Sequence, residues 1–195
     1  MMKTKSIIEQ SIELKREIAE NSALLERVEK AAETISGAFR KGHRVFFCGN
    51  GGSASDAQHL AAELSGRFYF DRPPLAAEAL HVNTSYLTAV ANDYSYDLVF
   101  ARAVEAFCDE GDVLVGLSTS GNSRNVVNAF ETAKRKNAFV IALTGKGGGE
   151  MGKRSDILID VPSGDTPRIQ EAHIMIGHII CQLVEESLFG KGEGK

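Results

Sequence analysis

The stretch Cys48-Gly-Asn-Gly-Gly-Ser-Ala-Ser-Asp-Ala-Gln-His-Leu-Ala-Ala-Glu-Leu64 decides both the fold class and the chemistry of this chain. It completes the apolar run His43 to Cys48, which predicts a buried strand, and its glycines form a turn before a helix opens at Ser53. Such a turn is an anion site, because free backbone N–H groups and the helix dipole point at it. The same helix carries His59 and Glu63 on one face. The stretch therefore predicts a phosphate cradle beside an imidazole–carboxylate pair.

Length and composition place the chain among ordinary globular proteins. Its 195 residues favour one domain, with 43% hydrophobic and 25% charged residues, and its net charge of −4 argues against nucleic-acid binding. We expect neither a signal peptide nor a membrane span, because the N-terminus leads into a charged helix and no apolar run is long enough. Cys48, Cys108 and Cys181 form no CxxC pair, so we expect buried thiols in a reducing, cytoplasmic environment.

Apolar strands alternate with helices along most of the chain. Two helices are predicted within residues 3–41, with the cap between them at Asn21 and Ser22. The predicted strands are His43–Cys48, Ala76–His81, Asp112–Leu117, Ala138–Leu143 and Asp156–Val161. The helices between and after them cover 53–66, 84–91, 95–109, 122–137, 147–154 and 166–189. Because the strands are apolar throughout, both of their faces should be buried, as in a parallel sheet.

This alternation predicts an α/β fold, a three-layer α/β/α sandwich with a five-stranded parallel sheet of the flavodoxin or Rossmann type. Residues 1–195 should form a single domain. Within it we expect an N-terminal helical arm at 1–41, an α/β core at 42–190 and a flexible tail at 191–195.

A second phosphate-type loop, Leu117-Ser-Thr-Ser-Gly-Asn-Ser123, also follows a strand and precedes a helix. Its four hydroxyl groups surround Gly121 next to helix N-terminal amides, which is more than the capping of one helix requires. A dinucleotide site is the rival interpretation, since Gly49, Gly51 and Ala54 fit G-x-G-x-x-A. That site needs an acidic residue at the end of the second strand, which here reads Leu80-His-Val-Asn83, so we favour the phosphate interpretation.

Two further segments carry polar residues in informative positions. Ala91-Asn-Asp-Tyr94 predicts a loop between helices, with Asp93 capping the second. The last predicted helix is apolar but carries a polar stripe: Arg168, Gln170, Glu171, His173 and His178. Gln170 and His178 are eight residues apart, or about 12 Å along a helix axis, so we expect a second subunit to supply one of them to any shared site.

These motifs together resemble the sugar isomerase (SIS) domain and, more closely, the phosphoheptose isomerases. The matching blocks are Gly49–Ser53 with Asp56, His59 and Glu63; Ser65–Arg67; Asn92–Asp93; Ser118–Ser123; Leu143–Lys146; and Arg168–Glu171 through His178. The resemblance covers nearly the whole chain. One departure is Pro167, at a position where some members carry an aspartate.

The resemblance implies conversion of sedoheptulose 7-phosphate to D-glycero-D-manno-heptose 7-phosphate, the first step toward the heptose of lipopolysaccharide or other surface glycans. It also implies a homotetramer with active sites at subunit junctions and a zinc ion held by His59, Glu63, Gln170 and His178. The substrate-binding positions it implies are Asn50, Gly51, Gly52, Ser53, Glu63, Arg67, Asn92, Asp93, Ser118, Thr119, Ser120, Ser123 and Gln170.

Aldose–ketose interconversion moves a proton between adjacent carbons through an enediol(ate), so it needs a base, an acid and charge stabilisation. Glu63 is the candidate base, and His178 is the candidate acid/base partner because imidazole titrates near neutral pH. The alternative function is a non-catalytic SIS-domain protein that binds the bacterial replication initiator. A scaffold has no need of paired Glu63 and His178, so their presence favours the enzyme.

Overall fold

The computed structural model describes residues 2–190, and the predicted tail at 191–195 lies outside that range. Its helices are α1 Lys3–Glu20, α2 Ser22–Arg40, α3 Gly52–Ser65, α4 Thr84–Asp93, α5 Val99–Phe107, α6 Arg124–Arg135, α7 Gly149–Gly152 and α8 Thr166–Phe189, with a 3-10 turn at Tyr96–Leu98. Its strands are β1 Val45–Gly49, β2 Ala77–Ala79, β3 Val113–Ser118, β4 Phe139–Thr144 and β5 Ile157–Asp160. In the described range, no helix is both long and apolar enough to cross a bilayer.

The strands form one sheet in the order β2-β1-β3-β4-β5, and every neighbouring pair is parallel. Alternate residues of the strands face opposite helix layers, as the pleat requires. Phe47 and Val115 pack with α1, α2, α3 and α8, whereas Phe46 and Leu114 pack with α4 to α7. The predicted three-layer α/β/α sandwich with a five-stranded parallel sheet is therefore confirmed.

The N-terminal helices join the first layer, and α2 packs along α8. Asn21 caps α2, since its side chain accepts the N–H of Leu24, as the sequence predicts. On α1, Leu14 and Ile18 are buried, but the other apolar residues of that helix's stripe, Ile7, Ile8 and Ile12, are exposed. The arm therefore presents an apolar surface that the rest of the chain leaves uncovered.

The predicted strand Ala76–His81 and the predicted helix 147–154 are shorter in the structure, and the segment around Asn92 differs in kind. Asn92 and Asp93 do not form a loop, because α4 continues to Asp93. Asp93 is not the cap of the next helical segment either, since the Ser95 hydroxyl accepts the N–H of Asp97 there. The predicted helix at 95–109 consists of the 3-10 turn followed by α5.

Pro167, which departs from the family pattern, and the three cysteines can both be placed in the structure. Pro167 lies in the first turn of α8, where its missing N–H costs no hydrogen bond. Cys48, Cys108 and Cys181 are all buried thiols, as expected.

His173 ties α8 to the sheet from a fully buried position. Its Nε2–H donates to the Thr144 carbonyl, 3.1 Å away at the end of β4. Burial lowers the pKa of His173 to about 4, while the hydrogen bond to Thr144 opposes the shift. The fold therefore holds this imidazole in its neutral form.

We expect His173 to make the fold acid-sensitive. Its folded pKa lies below the unfolded value of 6.5, so its contribution is complete above pH 6.5 and is lost as the pH falls toward 4. Urea unfolding of the wild type should lose about 2 kcal/mol between pH 7.5 and pH 5 through this group. In His173→Gln, which does not titrate, that part of the loss should be absent. An equal pH dependence in both proteins would contradict this assignment.

Candidate active site

The two phosphate-type loops lie side by side at the carboxyl edge of the sheet. One follows β1 and the other follows β3, and these two strands are hydrogen-bonded neighbours. The chain connects outward in opposite directions from them, to β2 on one side and to β4 and β5 on the other. Such a switch point opens a crevice outside the strand ends, where α/β proteins bind ligands. The loops predicted from sequence therefore share one site.

The first loop turns at Gly51, whose φ of +56° and ψ of −123° suit glycine, and α3 begins at Gly52. The carboxamide of Gln170 lies against this turn. A Cβ atom on Gly52 would stand only 2.6 Å from Gln170 Nε2. Glycine is thus needed for Gln170, on α8, to reach the start of α3.

The second loop gathers its hydroxyl groups at the start of α6. Ser118 Oγ lies 2.8 Å from Ser123 Oγ and 3.4 Å from Ser120 Oγ. At its tip Gly121 has a φ of +66°, and a Cβ there would lie 2.2 Å from the Gly148 carbonyl. The loop is therefore held against the segment that leads into α7, with its hydroxyls beside the free amides of α6.

A side-chain network that the sequence reasoning missed joins the two loops. Asn50 and the buried Asn125 exchange amide hydrogen bonds of 3.0 and 2.8 Å, and the Tyr96 hydroxyl donates to Asn50 Oδ1 at 3.0 Å. Asn125 lies in the first turn of α6. The sequence signal for this network was Asn125, a polar residue on the buried face of a helix. The network fixes Asn50 between the loops.

His59, Glu63 and His178 converge in one chain. Their ligand atoms all lie within 4.8 Å of one another. His59 Nε2 is 3.0 Å from His178 Nε2 and 3.2 Å from Glu63 Oε1. Helices α3 and α8 approach closely here, because Gly177 on α8 has no side chain. A Cβ at that position would stand 2.5 Å from Leu60 on α3. His178 therefore reaches this cluster from its own chain, and of the two residues Gln170 is left as the one that a second subunit would supply.

Gln170 stands apart from this cluster. It contacts Gly52, and His59 lies seven residues further along α3, about 10 Å down the helix axis. Its part as a fourth ligand stays a prediction. The other predicted site residues are spread over several places: Ser53 is buried in the first turn of α3, Arg67 is exposed after α3, and Asn92 donates to Asp93 at the end of α4.

The donor set suits a divalent metal. Two imidazole nitrogens and one carboxylate oxygen are the ligands of many catalytic zinc sites, where a fourth position stays open for substrate or water. Half of the His59 side chain is exposed, so the cluster is open to solvent. One turn earlier on α3, burial raises the pKa of Asp56, and the nearby His59 only partly opposes that shift. The residues present therefore fit a zinc ion that has protein ligands on one side and solvent on the other.

The chain is similar in sequence to a known domain family and to known enzymes of that family. The SIS domain family matches residues 8–145. A phosphoheptose isomerase from Sulfurimonas denitrificans is 50% identical over 188 residues, which are 96% of each chain. One from Mycobacterium tuberculosis is 52% identical over 183 residues, covering 94% of this chain and 93% of the relative.

Solved structures of phosphoheptose isomerases are also similar to this chain. A phosphoheptose isomerase from Neisseria gonorrhoeae superposes with a TM-score of 0.88 at 42% identity. One from Francisella tularensis superposes with a TM-score of 0.90 at 37% identity. Each comparison covers 94% of this chain and 97% of the other. The similarity therefore includes the N-terminal helices and α8, on which the site depends.

Proposed function

We propose that this chain, which belongs to the phosphoheptose isomerases of the SIS domain family, converts sedoheptulose 7-phosphate to D-glycero-D-manno-heptose 7-phosphate. An isomerase of sugar phosphates in heptose metabolism follows from its relatives. The observation that carries the finer proposal is the convergence of Glu63 and His178 from two helices. A non-catalytic scaffold that binds a replication initiator is not favoured, because it would have no use for this pair. We place the reaction in the cytoplasm, where the three buried thiols stay reduced, and assign its product to lipopolysaccharide or other surface glycans.

The length of the substrate supports the proposal. The serine loop and the start of α3 supply hydroxyls and free amides for a phosphate, as anion sites at helix N-termini do. From Gly52 to His59 the helix runs about 10 Å, which is close to the length of an extended seven-carbon chain together with its terminal phosphate. A phosphate on carbon 7 at the loops would then leave carbons 1 and 2 near Glu63 and His178.

The proposed reaction is a proton transfer in two halves. Glu63 removes a proton from carbon 1 of the ketose, the C1–C2 double bond of the enediol forms, and His178 gives a proton to the oxygen on carbon 2. His178 then takes the hydroxyl proton from the oxygen on carbon 1, and Glu63 returns its proton to carbon 2. Glu63 has two carboxylate oxygens, and Oε1 faces His59, which leaves Oε2 for the carbon-bound proton.

We also propose that His59, Glu63 and His178 hold zinc, with Gln170 of a second copy as the fourth protein ligand in the assembled enzyme, because Gln170 of the same chain lies at the start of α3. When bound, the ion would polarise the carbonyl oxygen as a Lewis acid. Because Glu63 and His178 are not free to transfer protons while both are tightly ligated, we propose a labile ion that the substrate shares. His59 has no other part in the proposed reaction, since proton transfer is assigned to Glu63 and His178. Its position between them, 3.0 and 3.2 Å from their nearest ligand atoms, supports a holding role.

The exposed apolar surface near the site supports assembly from several copies. An open groove of about 580 Å³ runs beside His178 between α1 and α8, and its wall includes Tyr69 and Ile179. Ile8 and Ile12 of α1 are also exposed, as are Tyr69 and Ile179. Apolar patches of this kind mark protein contacts. We propose a homotetramer in which a second copy covers this groove and completes the site.

The first test separates catalysis from phosphate binding. Glu63→Gln keeps the shape of the side chain but removes its basicity, so kcat should fall by about 100-fold or more with folding intact. The double variant Ser120→Ala, Ser123→Ala should mainly raise KM, because it removes contacts remote from the reacting carbons. Steady-state kinetics with sedoheptulose 7-phosphate measures both. Near-normal kcat in Glu63→Gln would remove that residue from the mechanism.

Zinc binding can be measured without turnover. Chelator-treated protein titrated with Zn²⁺ in a calorimeter should bind one ion per chain. His59→Gln should weaken that affinity by at least about 100-fold, since even residues that only support metal ligands change it by 10–100-fold. His43→Gln, at the opposite edge of the sheet, is the matched control and should bind normally. Absence of binding by the wild type would refute the metal proposal.

Assembly can be tested by one charge on the proposed interface. Ile179→Asp should dissociate the tetramer in sedimentation velocity, because it would bury an unpaired carboxylate at a subunit contact. Phe107→Asp adds the same charge at another exposed apolar residue, at the end of α5 in the opposite helix layer. It should leave the tetramer intact. A wild-type chain that sediments as a fully active monomer would overturn the proposal.

A further inference from the structure

We propose that Arg72 and Glu185 are positioning residues that set the place of Glu63 relative to His178. This inference rests on the proposed roles of Glu63 and His178 and goes beyond them. Neither Arg72 nor Glu185 belongs to the phosphate loops or to the cluster of ligand atoms. Both are almost completely buried, with 2% and 1% of their side chains exposed. Removing two charges from water costs free energy, so a buried ion pair this close to the cluster needs a structural or functional reason.

Glu185 organises the segment that follows α3. It lies on α8, seven residues after His178 and therefore on the same side of the helix. Its carboxylate accepts three consecutive backbone N–H groups, from Phe68 at 3.2 Å, Tyr69 at 2.6 Å and Phe70 at 3.0 Å. These contacts give an irregular segment a fixed path across α8.

The protonation state of Glu185 is fixed as well. Burial alone would raise its pKa, but the three N–H groups of residues 68–70 and the Arg72 guanidinium outweigh that effect and hold the pKa of Glu185 below its usual range. The carboxylate therefore stays ionised at neutral pH.

Arg72 connects the same carboxylate to the end of α3. Its Nε donates to Glu185 at 2.9 Å, while its terminal nitrogens donate to the carbonyls of Leu64 at 2.7 Å and Glu63 at 2.9 Å. These carbonyls belong to the last turn of α3, where helical partners are missing. The backbone of Glu63 itself is thus tied through Arg72 to α8. One buried pair bridges the two helices that carry the proposed base and acid.

The segment also touches His178 directly. The ring of Phe68 lies 5.7 Å from the imidazole of His178, and His178 in turn lies 5.1 Å from the ring of His59. Phe68 is the first residue whose N–H Glu185 accepts. Loss of the ion pair should therefore move the ring beside His178 as well as the turn that carries Glu63.

The experiment compares two buried carboxylates of the same kind. Glu185→Gln removes one, and Asp112→Asn is its matched control, because Asp112 is 2% exposed, accepts two backbone N–H groups and forms an ion pair with Arg44. Asp112 lies just before β3, at the opposite edge of the sheet. Both variants should unfold at lower temperature. Only Glu185→Gln should lower kcat, by about 10–100-fold with KM changed by less than about threefold, because misplacement by 1 Å can cost 100-fold.

Side-chain NMR of the five histidines supplies a readout that needs no turnover. In Glu185→Gln and in Arg72→Lys the imidazole signals of His178 and His59 should shift, while those of His43 stay in place. In Asp112→Asn the His178 and His59 signals should not move. If the wild type does not turn over sedoheptulose 7-phosphate, the proposed function fails while the NMR test stands. Unchanged His178 signals, or equal loss of kcat in the two carboxylate variants, would overturn the positioning role.

Discussion

The close crossing of α3 and α8 at Leu60 and Gly177 is the constraint on which the site depends. A side chain at Gly177 would strike Leu60, so the two helices approach as closely as they do only with glycine there. The residues next to this contact are His59 and His178, whose Nε2 atoms are 3.0 Å apart. Packing of two helices thus produces a pair of groups that the linear sequence keeps 119 positions apart.

The same crossing explains how one site combines two kinds of chemistry. At its first turn α3 receives the glycine loop from β1 and presents free amides to an anion. Two turns later it presents His59 and Glu63 to α8. A single helix therefore sets the distance between the proposed phosphate site and the proposed proton-transfer groups. Tyr96, Asn50 and Asn125 are hydrogen-bonded at the first of these places, and Arg72 and Glu185 are paired near the second.

Much of this could be predicted from the sequence because it depends on local patterns. Continuous apolar runs predict the strands, and the glycine and serine loops after two of them predict the anion site. The pair His59 and Glu63 follows from helical spacing alone. What the sequence could not show depends on contacts between distant segments. Three such contacts join residues more than 70 positions apart. They are the contact of His178 with His59, the amide pair of Asn50 with Asn125, and the buried ion pair of Arg72 with Glu185. Asn92 and Asp93 were predicted as a loop because their residue types favour turns, although α4 includes both.

The central claim is that Glu63 and His178 move protons between the substrate and the protein. Incubation of sedoheptulose 7-phosphate with the enzyme in D₂O to equilibrium, followed by NMR of the heptose 7-phosphate, tests it most directly. If Glu63 carries the proton, the aldose should contain deuterium at carbon 2, and at equal enzyme and time Glu63→Gln should form no deuterated product. Product that forms over many turnovers without any solvent deuterium would indicate a hydride shift between the carbons and would remove Glu63 and His178 from the proton transfer.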